Sequence, residues 1–207
     1  MNFKLLINLI LIVSFTLISC STDTVETEED ISQEIVLSQA EKNMLIQMRE
    51  EEKLARDVYL YLYDKYEVQI FANISNSEQT HMSKVLTLLL QYDIPDPALS
   101  NQGEFSNSSL QDLYNQLIQA GETSLIDALK VGATIEDLDI HDLEEFSELT
   151  QNQDILEVFA NLTCGSRNHM RGFYSQIINE GGDYSPQYIS PEEFDYIINS
   201  QHEQCNN

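Results

Sequence analysis

FANISNSEQTHMSKVLTLLLQY, residues 71–92, carries the reading of the fold. Its apolar residues Phe71, Ile74, Val85, Leu88 and Tyr92 recur at steps of three and four, the period of one helix face. Glu78 and His81 continue that face through its middle, an i, i+3 pair that brings an oxygen and an imidazole toward one point. An acid and an imidazole in an apolar seam are costly to bury, so the interruption asks for a chemical reason.

Three more segments share the design. Upstream, Ser38-Gln39-Ala40-Glu41 is a capping box, and a helix from there to Tyr66 has the stripe Leu45, Met48, Glu52, Ala55, Tyr59, Leu62, Tyr66. Downstream, a segment from about Ser124 to Leu149 has Leu125, Leu129, Gly132, Glu136, Asp139, Leu143, Phe146. Asp139 is also suited to cap a new turn at His141, which predicts a bend there. A fourth segment, about Asp154 to Glu180, has Ile155, Phe159, Leu162, Ser166, His169, Phe173, Ile177 and closes on Gly181-Gly182. Ile94-Pro95-Asp96-Pro97 stops the second helix, and a polar crossover runs on through Ser109. Short helices are predicted over about Leu110–Ala120 and from Pro191 to about Ser200. No strand-period run occurs. The class is therefore all-α: a four-helix bundle with a long crossover and short extra helices.

The 207 residues include 10 Lys plus Arg against 35 Asp plus Glu, a formal charge of −25. So acidic a chain excludes nucleic acid binding through a basic field. A hydrophobic content of 42% suits one domain with a sizeable core. Three unclustered Cys exclude a Cys-rich zinc or iron–sulfur module and a disulfide scaffold.

The chain opens with a short cationic start, Met1 to Lys4, and an apolar run from Leu5 to Ile18. As a helix that run rises about 21 Å, too short for hydrocarbon of about 30 Å, so it reads as a signal peptide. Leu17-Ile18-Ser19-Cys20 resembles a bacterial lipobox, which implies cleavage after residue 19 and a lipid on Cys20. An ordinary secretory signal with an incidental Cys and an uncleaved anchor are the alternatives. Residues 20–37 carry six acids and no base and read as a solvated tether, leaving residues 38–207 as the bundle domain. These readings place the protein in the cell envelope, anchored to a membrane by lipid. Export would permit a disulfide between Cys164 and Cys205, whose pairing the sequence leaves open.

Glu52, Glu78, Glu136 and Asp139 would repel one another on facing seams unless cations or protons neutralised them. Two divalent cations would balance the four charges. With His81 and His169 they form a set of six candidate metal ligands, of a chemistry that suits iron or manganese, as two ions or one. Plainer readings stand beside this one. Glu50-Glu51-Glu52 could also be a solvated patch with Arg56 paired to Glu52 at i+4, although Glu52 alone lies on the stripe, and Asp139 could be a cap. Ser166 reads as a small seam residue and His141 as solvated. His202 carries no signal. Tyr59 reads as core packing that could hydrogen-bond a carboxylate, and Met44, Met48, Met82 and Met170 as gap-fillers.

Glu52-Lys53-Leu54-Ala55-Arg56 followed by Tyr59, and Glu78-x-x-His81, resemble the metal motifs on the first two helices of rubrerythrins. The segment Ala128 to Ile140 and Gly165-Ser166-Arg167-Asn168-His169 resemble domain-of-unknown-function family 2202, placed in the ferritin-like superfamily. The resemblance covers roughly Ser38 to Ser200. It implies a ferritin-like bundle that binds metal, and the rubrerythrin likeness implies a di-iron peroxidase. One departure stands out: where rubrerythrins have a second Glu-x-x-His, this chain has Ser166 before His169, and Asp139 could replace the lost oxygen. A redox enzyme of this kind would need an outside electron donor, and an oligomer is compatible with the sequence. The alternative is a non-catalytic surface lipoprotein whose helical domain binds a partner, with the polar seam kept as a hydrogen-bonded network.

Overall fold

A computed structural model describes residues 36–205. The signal peptide, Cys20 and nearly all of the tether lie outside the described residues. Within them the chain forms six helices and no strand: α1 (Gln39–Tyr66), α2 (Gln69–Gln91), α3 (Ser108–Gly121), α4 (Leu125–Glu148), α5 (Gln153–Asn179) and α6 (Pro191–Asn199). None of the described helices is long and apolar enough to cross a membrane.

Local chemistry sets the boundaries. Ser38 and Glu41 form a reciprocal capping box, Ser124, Asn152 and Ser190 cap α4, α5 and α6, and Pro191 opens α6. Glu67 ends α1 in the left-handed conformation, φ 55°, and only Glu67 and Val68 separate it from α2, so α1 and α2 form a hairpin. The four long helices form a ring in which α1 neighbours α2 and α4, and α5 neighbours α4 and α2. Thr150 after α4 hydrogen-bonds Glu41 at the start of α1, whereas Tyr66 at the end of α1 reaches Gly121 just before α4, so these two helices are antiparallel. Gln91 at the end of α2 meets Asp154 at the start of α5 in the same sense. The diagonal helices α2 and α4 are therefore parallel, and the crossover of residues 92–107 plus α3 spans the length of the bundle to join them.

The predicted bend at Asp139 is absent: α4 runs unbroken to Glu148. Asp139 does not cap a turn because Ser166 on α5 donates its hydroxyl to the Asp139 carboxylate across the helix interface. The crossover, in turn, is fixed to α1 by charges that read as solvent-facing in the sequence. Glu50 is 2% exposed and accepts from the backbone N–H of Ser106 and of Asn107 and from the Ser106 hydroxyl, at 2.8–3.3 Å. Arg49 forks onto Asp96, and Lys53 and Asp57, both fully buried, hold Asn101 and Gly103. Removing the Glu50 carboxylate would take the shared acceptor from three part-buried hydrogen bonds, at a cost of about 1–3 kcal/mol.

The apolar core is in two parts. One contains Met48, Val85, Leu143, Phe159 and Leu162. The other contains Tyr59, Phe71, Ile74, Leu129 and Phe173. Leu37, read as the end of the tether, is buried in the first part. Met44, Met48, Met82 and Met170 are all buried as gap-fillers. Between the two parts, at the middle of all four long helices, lies a layer of polar side chains.

Candidate metal centre

Each long helix brings its stripe interruption into this layer: Glu52 from α1, Glu78 and His81 from α2, Glu136 and Asp139 from α4, Ser166 and His169 from α5. Glu52, Glu78 and Glu136 are 1–2% exposed, His81 5% and Asp139 8%. Their apolar neighbours along each stripe set this position, because turning any helix to expose its acid would expose the flanking Leu, Phe and Ile residues as well.

The side chains form two trios that share one carboxylate. Glu52, Glu78 and His81 make the first, Glu78, Glu136 and His169 the second, and within each trio one potential ligand atom per residue lies within 4.8 Å of the others. His81 Nδ1 is 2.8 Å from Glu78 Oε2 and 3.2 Å from Glu52 Oε2. His169 Nδ1 is 2.8 Å from the other Glu78 oxygen, Oε1, and 3.3 Å from Glu136 Oε2. Glu78 thus presents one oxygen to each histidine. The close approach of His169 Nδ1 to Glu78 Oε1 does not have hydrogen-bond geometry, and both atoms, together with Glu52 Oε1, are buried without a hydrogen-bond partner. His81 Nδ1, by contrast, has a hydrogen-bond partner in Glu52 Oε2. The donor set, carboxylate oxygens with one imidazole per trio, is the kind that holds hard divalent ions such as iron or manganese.

Surrounding groups orient the donors. The Tyr59 hydroxyl donates to Glu136 Oε1 at 2.5 Å, so Tyr59 both fills the core and steers a carboxylate. Ser77 Oγ lies 3.0 Å from His169 Nε2; with Nδ1 turned to the carboxylates, Nε2–H donates to it. Ser166 is no ligand candidate, since its hydroxyl is spent on Asp139. Two glycines make room. A Cβ on Gly165 would come within 2.6 Å of the His81 ring, and one on Gly132 within 2.5 Å of Phe173, which packs on Tyr59.

Protons do the neutralising where no cation is present. Burial drives the Glu52 carboxyl up to about 8 even with His81 beside it. Burial and the facing acids raise Asp139 well above the carboxylate range, and burial raises Glu136 against the pull of His169. Burial would also raise Glu78, yet the two flanking imidazoles, His169 first, overcome it and hold Glu78 well below its ordinary value. Burial would depress the histidines, but Glu78 and Glu136 take His169 up to about 10, and Glu52 and Glu78 raise His81 strongly. A cation arriving here displaces protons.

All six sequence-predicted ligands therefore meet in one layer, five of them in the two trios and Asp139 beside them through Ser166. The plainer pairing of Arg56 with Glu52 is not formed: Arg56 turns to Asp57 and Gln79. His141 is half-buried and pairs with Asp142 and Glu145 on its own helix, a third acidic trio near the surface. Sequence reasoning missed Ser77 and the steric role of Gly165; the signals were small residues directly before Glu78 and directly before Ser166. Cys164 and Cys205 are joined as a disulfide.

The profile of the uncharacterized protein domain DUF2202 matches residues 41–201. The chain belongs to this family. It is 56% identical over 168 residues to the uncharacterized protein MJ0754 of Methanocaldococcus jannaschii, covering 81% of this chain and 91% of the relative. The crystal structure of the hypothetical protein MJ0754 superposes with a TM-score of 0.81, covering 82% of this chain and 97% of that one. The DUF2202 domain of this chain, which includes every member of the polar layer, is thus an all-α helical domain whose buried acidic and histidine groups could hold a metal ion.

Proposed function

We propose that this chain is a ferritin-like metal-binding protein whose layer would hold two iron or manganese ions, with Glu78 common to both trios, and that the centre serves peroxide or oxygen reduction. The observation that carries the reading is the pair of trios sharing Glu78, with three buried ligand atoms left without hydrogen-bond partners. Glu52 and His81 would complete one ion's ligands, Glu136 and His169 the other's. Asp139, kept in the layer by Ser166, supplies the carboxylate that the fourth helix lacks.

A bound pair of iron ions supplies electrons and open positions for the oxidant. The chain's own residues set the conditions for that chemistry. The two apolar core regions close the layer toward either end of the bundle. Tyr59 fixes Glu136, and Ser77 fixes the tautomer and ring plane of His169. Glu52 and His81, both shifted upward, can hold or release protons as the charge of the centre changes. Electrons must come from an outside donor. In the same reading Cys20 carries a lipid and residues 20–37 tether the domain to a membrane of the cell envelope, which the mass of the mature N-terminus would test.

The test is metal analysis of protein purified without chelator, beside a Glu78→Ala, His81→Ala variant. About two ions per chain in the native protein and few in the variant is the expected result; equal and negligible metal in both would sink the reading. Peroxide reduction by the iron-loaded protein no faster than by free iron would remove the redox part while leaving the metal centre.

A further inference from the structure

The His81 and His169 rings, stacked with centroids 5.7 Å apart, turn their far edges into a chamber of about 270 Å³ between α2 and α5. That is the bulk volume of roughly nine waters, room for molecules of a few atoms. The rim carries Lys84, which bridges to Asn161 across the helix pair, and His202 from the C-terminal strap. Among the described residues no Asp or Glu lines it. In a chain with 35 acids and 10 Lys plus Arg, an acid-free wall beside the most acidic layer of the core is a local reversal of charge. Cations are drawn to such a surface almost anywhere. An anion is repelled by the whole molecule and needs a path of opposite character.

The strap is held in place at three points. Cys205 is bonded to Cys164, one residue before the Gly165 that seats His81. Glu203 receives Arg167 and Arg171, and its backbone N–H donates to Asn168 at 2.9 Å. These anchors keep exposed His202 at the chamber mouth.

We infer that this chamber is a binding site for small anions on their way to the histidine side of the polar layer, with Lys84 and His202 as the residues that attract them. Inorganic anions of two or three atoms, such as azide, belong to that class. The inference deepens the proposed function and rests on it for one arm of its test.

The probe is azide, titrated into iron(III)-loaded protein and followed by the absorption band that appears when it binds. Lys84→Gln is expected to weaken azide binding by about fivefold, the scale of one partly solvated charge, and His202→Ala by less, through loss of an imidazole N–H donor at the mouth, with iron content unchanged. Azide affinity identical in the native protein and both variants would overturn the inference, as would no azide band in protein that holds iron. A second arm needs no metal: crystals of the metal-free protein soaked in bromide should show its anomalous signal in the chamber, diminished in Lys84→Gln. An empty chamber there overturns the inference even if the metal reading stands. Bromide bound in a protein that retains no iron supports it even if the metal reading fails.

Discussion

On the α1/α4 side of the bundle, α3 lies across the layer and leaves a narrow apolar cleft of about 20 Å³, between Leu54, Leu110, Leu117 and Asp139. On the α2/α5 side the same layer is met by the 270 Å³ polar chamber and the C-terminal strap. The first side contributes only carboxylates, Glu52, Glu136 and Asp139. The second contributes both histidines and the shared Glu78. Closed packing sits behind the groups that must stay dry to be tuned by burial, and the opening lies behind the imidazoles, whose far nitrogens already tolerate polar neighbours. The difference puts the polar opening on the histidine side of the layer and the apolar closure on the carboxylate side.

The sharpest way to break the comparison is to remove the group common to both trios. Glu78→Gln is expected to lose nearly all bound metal, while Glu136→Gln, which leaves the first trio whole, retains about one ion per chain by elemental analysis. Equal loss in the two variants would deny Glu78 its shared position.

Acidity acts next. A carboxyl raised to about 8, as in Glu52, weakens the metal-free fold progressively as pH rises from its ordinary value of 4.5 through 8. A histidine raised to about 10, as in His169, gives stability that is full below 6.5 and lost by pH 10. Both slopes have one sign, so metal-free protein should melt on the order of 10 °C lower at pH 9 than at pH 5, by scanning calorimetry. Metal should flatten that slope.

Glu50→Ala tests the closed side. It should cost about 1–3 kcal/mol in urea denaturation by freeing the start of α3, with metal content retained. Ser166→Ala releases Asp139 and is expected to weaken metal affinity about tenfold, measured by competition with a chelator. Arg56→Ala should cost about 1–3 kcal/mol in stability and leave metal content unchanged, since Arg56 serves the buried Asp57 and not Glu52.

The bundle and its polar layer were legible because both obey the helical period: every stripe residue named from spacing faces the interior, and Glu52, Glu78, His81, Glu136 and His169 meet because their stripes do. What periodicity could not show were contacts made by residues off the stripe. Glu50 looks like a solvated acid until the crossover folds onto it, and its partners lie more than 50 residues away in sequence. Asp139 had a local role as a cap that only the approach of Ser166 from α5 displaces. His202 acquires meaning through a disulfide, and pairing of two distant cysteines has no local signature.

The parallel crossover that joins the two helix pairs has a consequence for how the chain matures. Glu52, Glu78 and His81 all belong to the α1–α2 hairpin, so one ion's ligands exist as soon as that hairpin closes. The second trio takes Glu78 from that hairpin and Glu136 and His169 from the other, and it exists only once the later-synthesised half has docked. In the proposed two-ion reading, the first site would need only the hairpin and the second both halves docked, so occupancy would record assembly.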